Sequence, residues 1–485
     1  MHRIAAVLLW AAGVFAALAA AGCAVQGPSQ ASPKFVADLF DKVKPSLVCV
    51  KYTYAGELIK VEVIGQGVVI GDDGLVMASS YLFPNSFADS QLTDFKIVIP
   101  GDEEKEFPAV FQGRDDRSNV AFIRTVEKQH WTSIKFADVP ITEGEDVVSI
   151  GLLPKSAGYH PYLTQPTVSA ILRGPLPMVM VSTAGLTTVG SPVFNSSGQA
   201  IGLVNHENLS MRLNRSEAVD PRDPRTPPPP IDTMAVVQSS CRIFVPARDF
   251  LASMADPPSA GHPLAIPWLG LKQLTGLKAA VAEYYKLKGQ PAVQVGAVIP
   301  NTPAEKAGFK TDDIIVKMNG KPLDRGDEPD ETGMILVRQV QRMKVGEQVV
   351  FSVLRTAGAD QPLADLNLTL TLEQRPMPAT LAKRYYVEDT GFVVRELVFD
   401  DRDARQLTSD FNGLLVASVK NGGAASGASL QSGDVLTQFN GQAITDIQQF
   451  EKFYKEFRHA SPKEAIVLEV LRKTKTETIR IEPPQ

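Results

Sequence analysis

Hydrolysis of an amide bond by a side-chain nucleophile also needs a base to take the proton and a group that orients the base. Imidazole is the side chain best suited to that base near neutral pH. Beyond His2 the chain offers it only at His130, His160, His206, His262 and His459. His130 and His160 stand in polar, turn-rich sequence, where exposed loop histidines are expected. Cysteine occurs three times, at Cys23, Cys49 and Cys241, with no C-x-x-C pair, and no H-E-x-x-H stretch is present. Spacing therefore gives a metal site no support, and no metal or cofactor is expected.

Cys23 has a context of its own. Arg3 is followed by an uninterrupted apolar and small-residue run from Ile4 to Ala21, which breaks at Gly22-Cys23. That is the shape of a bacterial export signal. Ala20-Ala21-Gly22-Cys23 resembles a lipobox, with Ala20 where that motif prefers Leu. Residues 1–23 are read as a signal peptide of lipoprotein type and 24–33 as a tether. Lipidated Cys23 would hold the protein to a membrane on the periplasmic side of a bacterial cell envelope. Cleavage near Ala19-x-Ala21 and a retained anchor are the alternatives. Cys49 and Cys241 would then sit in an oxidising compartment, either bridged or separately buried as small apolar groups.

The positioning elements must come from the remaining chain, which is long enough for about three domains at roughly 150 residues each. Hydrophobic residues make up 44% and charged ones 21%, and the net charge of −5 includes no basic run. Nucleic acid and a polybasic membrane contact are both disfavoured. Residues 34–46 carry apolar side chains at helical spacing, and Pro45 stops the helix. From Leu47 to Val204 short strands follow one another, separated by Gly, Asp and Asn turns: Leu47–Tyr52, Val61–Ile70, Lys96–Ile99, Val120–Arg124, Asp146–Ile150, Met178–Ser182 and Ala200–Val204. This pattern predicts an all-β barrel or sandwich. Residues 208–232, ending in Pro227 to Pro230, cannot join a ladder. A strand at Cys241–Pro246 and a helix near Ala247–Met254 close the domain, and residues 256–265 are a linker.

An internal repeat comes next. Val298-Ile299-Pro300-Asn301-Thr302-Pro303-Ala304, Ala307-Gly308, Asp312-Asp313-Ile314-Ile315 and Asn319-Gly320 match Val419-Lys420-Asn421-Gly422-Gly423-Ala424-Ala425, Gly427-Ala428, Gly433-Asp434-Val435-Leu436 and Asn440-Gly441. Each copy ends its last helix-following strand on Leu-Arg, at Leu354-Arg355 and Leu471-Arg472. Repeats of about 100 residues are domains rather than solenoid units. The two copies, 266–375 and 376–485, resemble PDZ domains. The preceding 34–255 resembles the trypsin-like domain of the HtrA (Deg) family, through Gly65-Gln66-Gly67-Val68-Val69-Ile70, Gly74-Leu75-Val76-Met77, Val168-Ser169-Ala170 and Gly198-Gln199-Ala200-Ile201-Gly202. The fold this resemblance implies is mainly β: a trypsin-like double β-barrel followed by two α+β PDZ domains.

The family writes its catalytic residues as Asn-Asn-His-Val, Ser-Asp-Ile-Ala and Gly-Asn-Ser-Gly-Gly. This chain has Ser79-Ser80-Tyr81-Leu82, Ser118-Asn119-Val120-Ala121 and Thr187-Thr188-Val189-Gly190-Ser191, so the three positions fall on Tyr81, Asn119 and Val189. A phenol of ordinary pKa near ~10 is a poor base at neutral pH, and valine has no nucleophilic atom. Thr187 stands where the family has glycine, two positions before the nucleophile, which puts a preformed oxyanion hole in question. The expectation is that the chain is not an enzyme. Ser191, two residues on, is the alternative nucleophile.

PDZ domains bind an extended peptide as an added strand and capture its terminal carboxylate on backbone N–H groups. The resemblance places that loop at Trp268-Leu269-Gly270-Leu271 and at Thr390-Gly391-Phe392-Val393, with facing helices near Gly333–Met343 and Ile447–Phe457. Peptide-binding residues are therefore expected at Leu269, Gly270, Leu271, Gly391, Phe392 and Val393. The expected partners are peptides, protein C-termini and unfolded proteins. The implied role is an adaptor, chaperone-like factor or regulator in envelope quality control, as a homotrimer or assembled with an active paralogue. A serine endopeptidase with relocated residues and a structural protein with blocked grooves are the rival readings.

Overall fold

The computed structural model describes residues 32–483 apart from 57–59, 84–87, 102–104, 128, 173, 175, 183–184, 206–241, 260–263, 327 and 357–362. Cys23, most of the tether, His206, the proline-rich 208–232, Cys241 and His262 lie outside the described residues. Among the described residues no helix is long and apolar enough to cross a membrane.

Helix α1 (Pro33–Val43) begins where Ser32 Oγ accepts the Phe35 N–H at 3.2 Å. Its 3.6-residue periodicity puts Val36, Leu39 and Val43 on one buried face. Strands β1 (Leu47–Ala55), β2 (Lys60–Val69), β3 (Leu75–Ser79), β4 (Leu92–Val98), β5 (Glu106–Asp115) and β6 (Val120–Thr125) close a barrel in the order β1-β2-β3-β6-β5-β4. Its interior holds Val50, Tyr52, Val76, Phe83, Phe95 and Ile97. The second unit, β7 (Val147–Leu152), β8 (Pro161–Thr164), β9 (Val168–Leu172), β10 (Met178–Val181), β11 (Pro192–Asn195), β12 (Ala200–Asn205) and β13 (Ile243–Pro246), is a seven-stranded sheet in the order β8-β7-β11-β12-β13-β10-β9. One apolar cluster joins the two units, with Met77 and Phe122 against Ile150, Phe194 and Leu203. The chain then turns through α2 (Leu251–Ala255).

The first repeat comprises β14 (Pro267–Trp268), β15 (Leu271–Gly276), α3 (Ala279–Tyr284), β16 (Val293–Val298), α4 (Pro303–Lys306), β17 (Ile314–Met318), β18 (Lys321–Pro322), α5 (Glu331–Gln341), β19 (Gln348–Arg355), β20 (Ala364–Thr371) and β21 (Glu373–Gln374). The second comprises β22 (Arg384–Val387), β23 (Phe392–Glu396), α6 (Phe399–Ala404), β24 (Leu414–Val419), α7 (Ala424–Gly427), β25 (Val435–Phe439), β26 (Gln442–Ala443), α8 (Ile447–Ala460), β27 (Ile466–Arg472) and β28 (Lys475–Ile481). Their sheets run β15-β16-β17-β19-β20 and β22-β23-β24-β25-β27-β28, so β15 corresponds to β23 and α5 to α8. The sequence repeat has a structural counterpart in a buried ion pair. Asp313 is gripped by Arg355 through Nε at 2.6 Å and Nη2 at 2.8 Å, and Asp434 by Arg472 at 2.7 and 2.6 Å. Each carboxylate also accepts a backbone N–H, from Lys310 or Gln431.

Specific contacts join the domains. Arg117 Nη1 donates to Gln341 O at 2.8 Å, and Arg342 pairs with the buried Asp249. Trp268 meets Phe399 edge-on at 5.3 Å, and Lys272 pairs with Asp403.

Two buried carboxylates set the acid limit of this fold. Burial alone would raise Asp115, but hydrogen bonds from Arg117 and Ser253 outweigh it and hold the carboxyl below its usual value. At Asp401, Arg395 and the Val398 N–H likewise overcome burial. A lowered carboxyl stabilises the folded state above its unfolded value near ~4 and loses that contribution as pH falls through the folded value. The melting temperature is expected to drop below about pH 4, and Asp115→Asn should flatten the drop. Calorimetry as a function of pH reads both.

Candidate functional site

The seam between the barrel and the seven-stranded sheet brings the three family-derived positions together. β3 ends at Ser79, and a short 3-10 turn, Ser80–Leu82, carries Tyr81 outward, where the residue is 60% exposed. Ser80 N–H donates to Asn119 O at 3.0 Å, and Asn119 holds a left-handed φ of +53° in the β5–β6 turn. Ser79 Oγ donates to Asn205 Oδ1 at 3.0 Å, tying β3 to β12 across the seam. On the other wall, a Cβ at Gly190 would lie 2.7 Å from Gln66 O and 3.7 Å from Ser79 N, so the Val189-Gly190 turn abuts β2 and β3.

What surrounds Val189 is specific. Thr187 is buried; its N–H donates to Ser149 Oγ at 3.2 Å and its hydroxyl lies 2.5 Å from the same oxygen. The amide two residues before position 189 is thus committed to the interior. Ser191 is fully buried, its Oγ donating to Gln66 Oε1 at 3.1 Å, and that oxygen also accepts the Leu152 N–H at 2.8 Å. His130, His160 and His459 are exposed. Among the described residues, no group of three His, Cys, Asp or Glu could hold a metal ion.

The loops at 268–271 and 390–393 are built to one plan. In the first, Gly270 has φ +83°, its carbonyl accepts the Ile299 N–H at 2.9 Å, and the Leu269 carbonyl accepts the Ala304 N–H at 2.9 Å. In the second, Gly391 has φ +78°, its carbonyl accepts the Lys420 N–H at 2.8 Å, and the Thr390 carbonyl accepts the Ala425 N–H at 2.9 Å. Leu269 and Leu271 are buried beside the first loop, Phe392 and Val393 beside the second. A Cβ at Gly270 would fall 2.2 Å from Thr302 Cβ, so only glycine fits both the dihedral and the space.

The grooves beside these loops differ. In the first repeat β14 pairs with β21, and among the described residues no strand pairs with the outer edge of β15. α5 nevertheless lies directly on β15 at the end away from the loop: a Cβ at Gly333 would be 2.1 Å from the Leu274 carbonyl oxygen. In the second repeat β22 pairs with that edge of β23. Sequence reasoning missed both features. The signals were a glycine in the first turn of α5, and the strand-forming run Arg384-Tyr385-Tyr386-Val387, which has no equivalent before the first loop.

A model of the trypsin-like peptidase domain matches residues 65–203, and one of the PDZ domain matches residues 272–370 and 393–482. The chain is 25% identical over 402 residues to the probable periplasmic serine endoprotease DegP-like of Marinomonas sp. (strain MWYL1), spanning 81% of this chain and 74% of that protein. It is 25% identical over 402 residues to the periplasmic serine endoprotease DegP of Escherichia coli (strain K12), spanning 82% and 73%. The chain carries a trypsin-like peptidase domain followed by two PDZ domains, and DegP serine endoproteases are among its homologues. The solved structure of the HtrA-type protease AlgW with tripeptide shares the fold, with TM-score 0.51 and 17% identity over 71% of this chain and 98% of that one.

These similarities correct one expectation. The relatives matched over about four fifths of this chain are named serine endoproteases, which overturns the reading of the chain as not an enzyme. That reading rested on positions 81, 119, 187 and 189 and on where the histidines fall in the sequence, and motif positions alone do not decide which groups an active site uses. The chemistry of those positions is unchanged by this: Val189 itself supplies no nucleophile.

Proposed function

We propose that this HtrA-type chain is a periplasmic protein that captures the C-terminal ends of peptides and unfolded proteins at its first PDZ domain, as an adaptor or chaperone-like factor in envelope protein quality control. One observation carries the reading: the Leu269-Gly270-Leu271 loop is held in a left-handed turn by the Ile299 and Ala304 amides, beside a strand edge that no other strand covers among the described residues. Such a turn aims successive backbone N–H groups at an anion. The tripeptide in the AlgW structure supports a peptide as the ligand class for this fold. Because α5 contacts β15 at Leu274, the open part of the groove is short. A fluorescent peptide with a free apolar C-terminal residue is expected to bind at micromolar strength, and C-terminal amidation should weaken it at least tenfold. Equal affinity of the two forms would refute carboxylate capture.

A second reading, serine endopeptidase action, is favoured by the relatives' names. Ser191 is the hydroxyl nearest position 189 in sequence, and its use requires the Gln66 contact to open. This reading expects fluorophosphonate labelling that disappears in Ser191→Ala.

The location belongs to the same proposal. Cys23 is expected to be lipidated, with the protein tethered at the periplasmic side of the membrane. Mass spectrometry of the mature N-terminus checks this, and an unmodified Cys23 would reject it. Assembly as a homotrimer or with an active paralogue is read by analytical ultracentrifugation.

A further inference from the structure

The second groove contains a strand of its own chain. β22 runs antiparallel along the outer edge of β23, with Tyr385 opposite Val394, Tyr386 opposite Val393 and Val387 opposite Phe392. Backbone bonds close both ends of this ladder: Glu396 N–H donates to Lys383 O at 3.0 Å and Gly391 N–H to Val387 O at 2.8 Å. This is the position and direction of a peptide added as a strand, with its C-terminal end toward the carboxylate loop. The side chains complete the likeness. Val387, at the loop end, is fully buried in the second-repeat core. Tyr385, two residues earlier, packs edge-on against Phe450 at 6.0 Å and Tyr454 at 6.4 Å, both on α8.

A carboxylate is also present. Asp389 follows Val387 by two residues and stands within the loop. Arg458 Nε pairs with Asp389 Oδ2 at 2.7 Å, and the Tyr454 hydroxyl donates to Asp389 Oδ1. An acid group is thus held where the loop and the last turns of α8 meet. In the first repeat β14 pairs with β21 instead.

We propose that β22 and the Asp389 carboxylate form an internal ligand that fills the second PDZ groove. This site then takes an external chain only when β22 is displaced, and prefers a free C-terminus with an aromatic residue two before a terminal aliphatic one. The inference rests on the peptide-capture reading for the class of ligand, and on the β22 register for the site.

The test uses the full chain and a fluorescent peptide ending Arg-Tyr-Tyr-Val with a free carboxylate. In Gly270→Val, which disables the first loop, binding is expected to be absent. Adding Tyr385→Ala and Asp389→Ala loosens β22 and frees Arg458, and should raise affinity at least tenfold, with the gain lost on amidation. Binding to Gly270→Val alone as tight as to the loosened variant would overturn the proposal. So would a loosened variant that is folded by circular dichroism yet binds nothing. Hydrogen exchange on the unmodified chain gives an independent reading: slow exchange at Gly391 and Glu396 supports a docked β22, and exchange at unprotected rates overturns it. If the unmodified chain binds no peptide while the loosened variant does, first-site capture fails and the internal ligand stands.

Discussion

Asp434→Ala is expected to lower the melting temperature of the second PDZ domain by more than about 10 °C, the largest stability effect among the changes considered. Asp434 is 2% exposed, accepts two parallel bonds from Arg472 and a third from the Gln431 N–H, and so joins the start of β25 to the end of β27. Removing one partner of a buried pair leaves the other charge and its donors uncompensated, at a cost of about 3–5 kcal/mol. Arg472 keeps contacts with Glu477 and the Ser429 carbonyl, which places the expected loss nearer about 3 kcal/mol. For a domain of this size about 1 kcal/mol moves the midpoint by roughly 4–8 °C. Asp313→Ala should act in the same way on the first repeat, where Arg355 also reaches the Gly308 carbonyl. Calorimetry of the full chain, with hydrogen exchange to assign each transition, distinguishes the two. A drop of less than about 2 °C for both would show that the clamp carries little net stability.

Gly270→Val should abolish peptide capture by the first PDZ domain, a loss of at least a hundredfold in affinity. Two effects coincide at this position. A β-branched residue strongly disfavours φ +83°, a strain of about 1–3 kcal/mol. Its Cβ would also lie 2.2 Å from Thr302 Cβ. Thr302 cannot yield readily, because it is buried and its hydroxyl donates to the Ile299 carbonyl at 2.6 Å. The loop must therefore move, taking its backbone amides away from the carboxylate. Gly270→Ala meets the same Cβ clash without branching and should lose less. Isothermal titration with free and amidated peptides measures the effect. Retention of wild-type affinity by Gly270→Val, in a protein still folded, would place capture elsewhere.

The architecture was legible because it rests on local rules. Alternating strands divided by Gly, Asp and Asn turns marked several strands of the first domain: the sequence reading of Val120–Arg124 corresponds to β6 at Val120–Thr125, and Met178–Ser182 to β10 at Met178–Val181, whereas β5, β8 and β11 were not among the segments read. The repeated Asp before a strand and Arg after Leu marked the two PDZ copies, although their pairing as a buried clamp became visible only in three dimensions. The two loop glycines were also legible, since a left-handed turn leaves a glycine wherever a close approach forbids a Cβ.

The state of each groove was not legible. Sequence named Gly391, Phe392 and Val393 as a site matching Leu269, Gly270 and Leu271, and the loops do share their backbone bonds. Whether a strand edge is free depends on where another segment goes after a turn, which is a non-local choice. β14 leaves toward β21, whereas β22 folds back onto β23, and no periodicity in Arg384-Tyr385-Tyr386-Val387 states which edge it will cover. The barrel seam followed the same division. Residue types alone determined that Val189 offers no nucleophile. Only tertiary packing decided that the Thr187 amide turns to Ser149 and the Ser191 hydroxyl to Gln66, because those partners lie 38 and 125 residues away along the chain.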